Sequence, residues 1–199
     1  MRSKHSFRPA SVDGLEDRLA LSHAAASPAA IVAASRPARN PETAQFEVQW
    51  MRGMINHHGM AIRMANIVLR HGQDPEVRQL ARNIIAAQSR EIRAMQTWLS
   101  SGYGVKGVKP RVDAEGRMTL HALQSLEGNA LDVAFLQEMI GHHSTAVDDA
   151  GECLENATHT RLRQLCTNIQ TTQTAEIEQM TMILERLGGE VPAGGGHAG

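Results

Sequence analysis

Met54-Ile55-Asn56-His57-His58 returns 85 residues later as Met139-Ile140-Gly141-His142-His143, and the likeness runs without a gap from Met54–Leu99 to Met139–Leu184. Of the 46 aligned pairs 17 are identical, among them Arg78/Arg163, Gln79/Gln164, Leu80/Leu165, Gln88/Gln173, Glu91/Glu176, Ile92/Ile177 and Met95/Met180. A match of this length without insertions implies one supersecondary unit used twice, and two such units are expected to pack in a pseudo-twofold arrangement.

Each copy has a helical period. Ile84, Ile85, Gln88, Ile92, Met95 and Leu99 recur at three- and four-residue steps, as do Leu162, Leu165, Ile169, Ile177, Met180 and Leu184. Each unit therefore reads as a helical hairpin. In copy one Gly72-Gln73-Asp74-Pro75 makes the turn, with Gly72 suited to the position after a helix, Asp74 to the N-cap and Pro75 to the first helical turn. In copy two the turn lies near residues 156–160, and Thr158 or His159 opens the next helix. Ser101–Gly116 carries five Gly or Pro residues and is expected to cross the bundle, followed by a short helix from Leu120 to Leu126. Four helices of roughly 25 residues, each about 38 Å long, make an all-α four-helix bundle of two repeated hairpins with a crossover connection. The expected organisation is a leader over 1–40, the bundle over 41–187 and a Gly-rich flexible tail over 188–199. Within the bundle, repeat one covers about 45–100, the connection 101–128 and repeat two about 129–187.

Composition narrows the function. The 199 residues hold 20 Lys plus Arg against 21 Asp plus Glu, a net charge of −1, so no broad basic field exists to hold nucleic acid. Aromatic residues are only 3%, which leaves few platforms for stacking bases. No stretch reaches the roughly 18 apolar residues of a membrane span. What is enriched is Met and His, 10 of each, and several sit together. Arg2, Lys4 and Arg8 precede an Ala-rich run from Ala20 to Ala34, and Phe7-Arg8-Pro9 with Leu15-Glu16-Asp17-Arg18-Leu19-Ala20-Leu21-Ser22 resembles a short motif ahead of exported bacterial proteins. Export to the periplasm or the medium is expected from this leader, and a cytoplasmic protein if it is not an export signal.

In a hairpin turning at 73 or 74, facing residues have numbers summing to about 147. His57 and His58 then lie level with Gln88 to Glu91, and Met54 near Ile92 and Met95. In copy two His142 and His143 lie level with Gln173 to Glu176, and Met139 near Met180. Imidazole and thioether are donors for Cu(I), Ag(I) or Cu(II), whereas Ca²⁺ or Mg²⁺ would need mostly oxygen. Glu91 and Glu176 can ligate, or accept the second ring N–H of a histidine and fix its tautomer. Against this, neighbouring histidines on one helix point about 100° apart and cannot both face inward, and methionines at helical spacing fill cores well. The retention of His-His and Gln-x-x-Glu-Ile-x-x-Met in both copies, while Met60 becomes Thr145 and Met64 becomes Asp149, favours a metal role.

Met54-Ile55-Asn56-His57-His58-Gly59-Met60-Ala61-Ile62-Arg63-Met64-Ala65 and Gln88-Ser89-Arg90-Glu91-Ile92-Arg93-Ala94-Met95-Gln96-Thr97-Trp98-Leu99 resemble the bacterial domain of unknown function family 305, over about residues 45–187. The resemblance implies a ferritin-like helical fold, export as is common in the family and, as for some members, an association with copper or silver binding and tolerance. Carried over by position, it marks His57, His58, Met60, Met64, Gln88, Glu91 and Met95 in copy one, and His142, His143, Gln173, Glu176 and Met180 in copy two. Asp149 in place of Met64, with Trp98 and Met60 also lost, makes the second site weaker, harder or structural.

The expectation is a soft-metal protein that binds copper, Cu(I) before Cu(II), with silver as a mimic, for sequestration, tolerance or handover to a delivery or efflux protein. It is not expected to be an enzyme. A ferritin-like redox enzyme with an iron or copper centre is the alternative, but no Glu is followed by His at the third position, and Glu138 with His142 is a single pair. A helical interaction module without metal, with the paired histidines as a pH switch, is the other, and a homo-oligomer is open to either. Cys153 and Cys166 fall opposite one another across the second hairpin, as two small core residues, a disulfide or a thiolate copper site.

Overall fold

The structure, a computed structural model, describes residues 40–192. The expected leader over 1–39 and the end of the tail over 193–199 lie outside the described residues. Five helices and no strand are present among those described: α1 Pro41–His71, α2 Pro75–Gly102, α3 Ala114–Gln124, α4 Gly128–Asn156 and α5 Thr160–Arg186. The four long helices are the two hairpins α1–α2 and α4–α5, and α3 sits in the crossover. It begins six residues before the expected start at Leu120, because Asp113 caps it, accepting from Gly116 N at 2.8 Å.

The helix starts follow from local chemistry. Asn40 accepts from Glu42 N at 2.8 Å ahead of Pro41, and Asp74 accepts from Glu76 N and Val77 N ahead of Pro75. In the second turn the cap is His159, whose Nδ1 accepts from Leu162 N at 3.2 Å. Arg78 and Arg163, identical at the repeat offset, each donate to carbonyls at the end of the preceding helix: Val68 and Gly72 in one hairpin, Leu154 and Ala157 in the other.

Gly72 is not there for a left-handed backbone. Its φ is −74°, which any residue adopts, and what it provides is closeness: a Cβ there would stand 2.4 Å from Asp132 Oδ1. Asp132 is fully buried and its Oδ2 accepts from Gln73 N at 3.0 Å and Asp74 N at 2.7 Å. Shifted by the repeat offset, the same contact reappears. Glu47, also fully buried, accepts through Oε1 from Thr158 N and His159 N, both at 2.8 Å. Each hairpin thus closes the turn of the other with a buried carboxylate.

This exchange fixes the packing. The turn of one hairpin lies against the open end of the other, giving two apolar clusters. The first joins Ala61–Ile84 of hairpin one to Leu131–Ile140 and Ile177–Leu184 of hairpin two. The second joins Trp50–Ile55 and Ile92–Leu99 to Ala146–Cys153 and Leu162–Ile169. Cys153 and Cys166 form a disulfide in the second cluster, with Cα atoms 6.3 Å apart. Residues 103–113 strap hairpin one: Val108 O accepts from Gln96 Nε2 at 2.8 Å, Arg111 N donates to Asn56 Oδ1 at 2.9 Å, and Pro110 lies so close over Gly59 that a Cβ would meet it at 2.3 Å.

The first residues of the expected flexible tail are held. Gly188 has φ +76°, Gly189 N donates to Leu184 O at 2.9 Å, and Glu190 O accepts from Gln137 Nε2 at 2.9 Å. Gly188 allows the left-handed step that turns the chain back onto α4.

Glu47→Ala and Asp132→Ala each strand two backbone donors, one of them buried, and each is expected to lower unfolding free energy by about 2–4 kcal/mol. The sites lie at opposite ends, so the double variant should show near-additive loss. Urea titration checks this, and a change below about 0.5 kcal/mol in either single variant would show that the carboxylates are not needed.

Candidate metal centre

Between the two apolar clusters the bundle is crossed by a polar layer made of the repeated residues. His58 Nε2 lies 2.7 Å from Glu91 Oε2, and His143 Nε2 lies 2.9 Å from Glu176 Oε2. Both imidazoles are fully buried, and the carboxylates are 20% and 15% exposed. Gln88 and Gln173 are buried at the same level, with Gln88 Oε1 and Nε2 and Gln173 Oε1 lacking a hydrogen-bond partner in the protein. The expected facing of His with Gln and Glu therefore holds in both hairpins.

The neighbouring histidines both enter the interior, against the expectation that one would point out. His58 and His143 face their own hairpin. His57 and His142, about 100° round each helix, face the other one, and their rings stack with centroids 3.6 Å apart and planes 34° apart. A hairpin taken alone has one interior, but two docked hairpins have a seam between them as well. The Nδ1 atoms of all four histidines are buried without a hydrogen-bond partner in the protein.

Burial, together with the nearby His58 and His143, pushes His57 down to about 3. Burial, then His57, His143 and His58, holds His142 well below the ordinary histidine value. Both rings are neutral at pH 7, which is the form that ligates.

The seam opens on one side into a cleft of about 630 Å³ between α1, α3 and α4. His57 and His142 line it together with Met60, Met64, Glu138 and Thr145, and α3 supplies Gly116 and Thr119. Met60 Sδ lies 3.2 Å from the Cβ position of Gly116. The cleft wall thus brings Met60, together with Met64, which is buried in the first apolar cluster, to the two neutral imidazoles.

The other expected ligands are elsewhere. Met54 and Met95 are buried in the second apolar cluster beside Trp50 and Met51, and Met139 and Met180 are buried in the first. None of these four lines the cleft. Asp149 is half-buried on α4, where its carbonyl accepts from Trp50 Nε1 at 2.7 Å. Burial and the adjoining Glu152 and Asp148 raise its carboxyl pKa. Among the described residues no group of three or more His, Cys, Asp or Glu is disposed to hold a metal ion, so a soft site here depends on thioethers. The role of α3 as a cleft wall had no signal in the repeat, because α3 has no counterpart in it.

The chain matches the family model described as domain of unknown function (DUF305) over residues 47–184. In structure it is similar to a Streptomyces coelicolor protein of that family, 27% identical with a TM-score of 0.65, over 72% of this chain and 94% of that one. It is similar to CopM in its Cu(I)-bound form, 32% identical with a TM-score of 0.63, over 70% of this chain and 96% of that one. CopM has also been solved in Cu(II)-bound and Ag-bound forms. An uncharacterised protein of Acanthamoeba polyphaga mimivirus is 43% identical over 51 residues, which are 26% of this chain and 34% of that protein, so the match spans about a third of its length.

The neutral rings link stability to pH. With the folded-state value of His57 near 3 and an unfolded value near 6.5, its contribution is complete above about 6.5 and is lost as pH falls towards 3, and His142 acts in the same direction. Between pH 7 and 5 the metal-free protein should lose about 2 kcal/mol through His57 alone. His57→Gln with His142→Gln should flatten this slope in denaturant titrations, and an unaltered slope would assign the acid sensitivity to other groups.

Proposed function

The chain belongs to the DUF305 family, and from the geometry of its seam we propose that it is a copper-binding protein that takes Cu(I) at the cleft between its hairpins. The observation that carries this reading is that Met60 and Met64 line one cavity with the close-packed, neutral His57 and His142 rings. Thioethers bind soft Cu(I) and discriminate against hard cations, and neutral imidazole needs little proton release to ligate. That the similar CopM binds copper and silver supports a soft-metal role.

The role is sequestration or handover rather than catalysis. Thioether bonds are individually weak and methionine side chains reorient, so a bound ion exchanges without unfolding the bundle. Asp149 replaces the second thioether in copy two, so the site is one-sided, centred on Met60 and Met64. His58–Glu91 and His143–Glu176 brace the layer from behind. Export fits the disulfide between Cys153 and Cys166, because such bonds persist in oxidising compartments. No described helix is long and apolar enough to cross a membrane.

Anaerobic competition of the purified protein against a chromogenic Cu(I) chelator tests the assignment. Met60→Leu and Met64→Leu should each weaken Cu(I) binding by about tenfold or more, about 1.4 kcal/mol, with little change in melting temperature. Met54→Leu and Asp149→Asn should leave affinity unchanged. Equal affinity in the Met60 and Met64 variants would place the copper outside the cleft, and Fe(II) binding with oxygen consumption would favour the redox enzyme.

A further inference from the structure

Arg63 and Arg70 are exposed on α1, and the residues at the repeat offset, Asp148 and Glu155, are exposed on α4. The same inversion recurs on the second helices at Arg93 and Glu178, whereas Glu76 and Arg161 are exchanged in the opposite sense. Residues 41–112 carry 10 Lys or Arg against 5 Asp or Glu, while residues 128–187 carry 3 against 9. Two halves with a common backbone plan thus present surfaces of opposite sign.

Within one molecule these charges do little for the fold. The ion pairs among the described residues are His58–Glu91, His143–Glu176 and Arg186 with Asp74 and Glu76, and none uses Arg63, Arg70, Asp148 or Glu155. Seven residues separate the members of each row, about 10.5 Å along either helix and on one helical face. Rows of equal pitch and opposite sign on one chain complement each other in a second copy better than they fit an arbitrary partner. Because the internal axis relates one row to the other, a twofold axis perpendicular to it brings both pairs of rows together at once and closes the assembly at two chains.

We propose that this face is the interface of a homodimer, in which the Arg63–Arg70 row of one copy pairs with the Asp148–Glu155 row of a second, and reciprocally. The attraction is electrostatic and is set by exposed charges, so it weakens as salt is added.

Sedimentation velocity on the full chain at low ionic strength, at tens of micromolar, tests it. The expected species has twice the 21.7 kDa mass of the chain and falls to one chain in about 1 M salt, where the Debye length is about 3 Å. Arg63→Glu with Arg70→Glu, and separately Asp148→Arg with Glu155→Arg, should each sediment as a monomer. Mixing the two variants in equal amounts should restore the dimer, because each then presents what the other lacks. Circular dichroism confirms that both variants stay folded. A monomeric wild type at low salt, a dimer that survives either reversal, or a mixture that stays monomeric would overturn the proposal.

Discussion

Two buried carboxylates decide where everything else in this bundle can sit. Glu47 and Asp132 each reach across to the other hairpin and accept from two successive backbone N–H groups at its turn. One donor of each pair belongs to an N-cap, Asp74 or His159, whose N–H has no partner within its helix, and a buried carboxylate is a strong acceptor for it. The contact also sets register: with the turn of each hairpin fixed to the open end of its partner, the helix midpoints must coincide. The repeated histidines therefore meet at the centre, and the two apolar clusters are separated by a polar layer.

That layer has a cost in desolvation, and the structure limits it unevenly. His58 and His143 have carboxylate partners, whereas the rings at the seam have chiefly each other and remain uncharged. Buried nitrogens without protein partners are uncommon in a folded core. Under the proposed function, a soft cation in the cleft would supply the interaction that the protein does not. Sequence divergence between the copies then has a physical sense: hairpin one keeps Met60 and Met64 at the cleft, while hairpin two has Thr145 and Asp149 and contributes a ring and a wall.

Much of this was legible in the residues and some was not. The helical period and the Asp74-Pro75 turn fix hairpin one almost to the residue, and the sum rule correctly sets His58 opposite Glu91 and Cys153 opposite Cys166. The rule gives level along a helix but not angle around it, so Met54 and Met95 are placed at the right height yet belong to the core rather than to the cleft. Docking of two hairpins is a nonlocal property, which is why the sequence alone leaves one histidine of each pair with no interior to face. The acidic pair Glu47 and Asp132 lies at the same offset of 85, just ahead of the compared stretch, and extending the repeat by seven residues would have exposed it. The second turn was harder because histidine is an uncommon N-cap and no proline follows it.

The proposed copper site lies at the seam, shared between the hairpins, rather than once within each. Anomalous diffraction at the copper edge from crystals grown anaerobically with Cu(I) tests this directly. The account predicts a strong peak within bonding distance of a Met60 or Met64 sulfur and of a His57 or His142 nitrogen. Separate peaks inside each hairpin, beside Met54 and Met95 or beside Met139 and Met180, with none in the cleft, would contradict it.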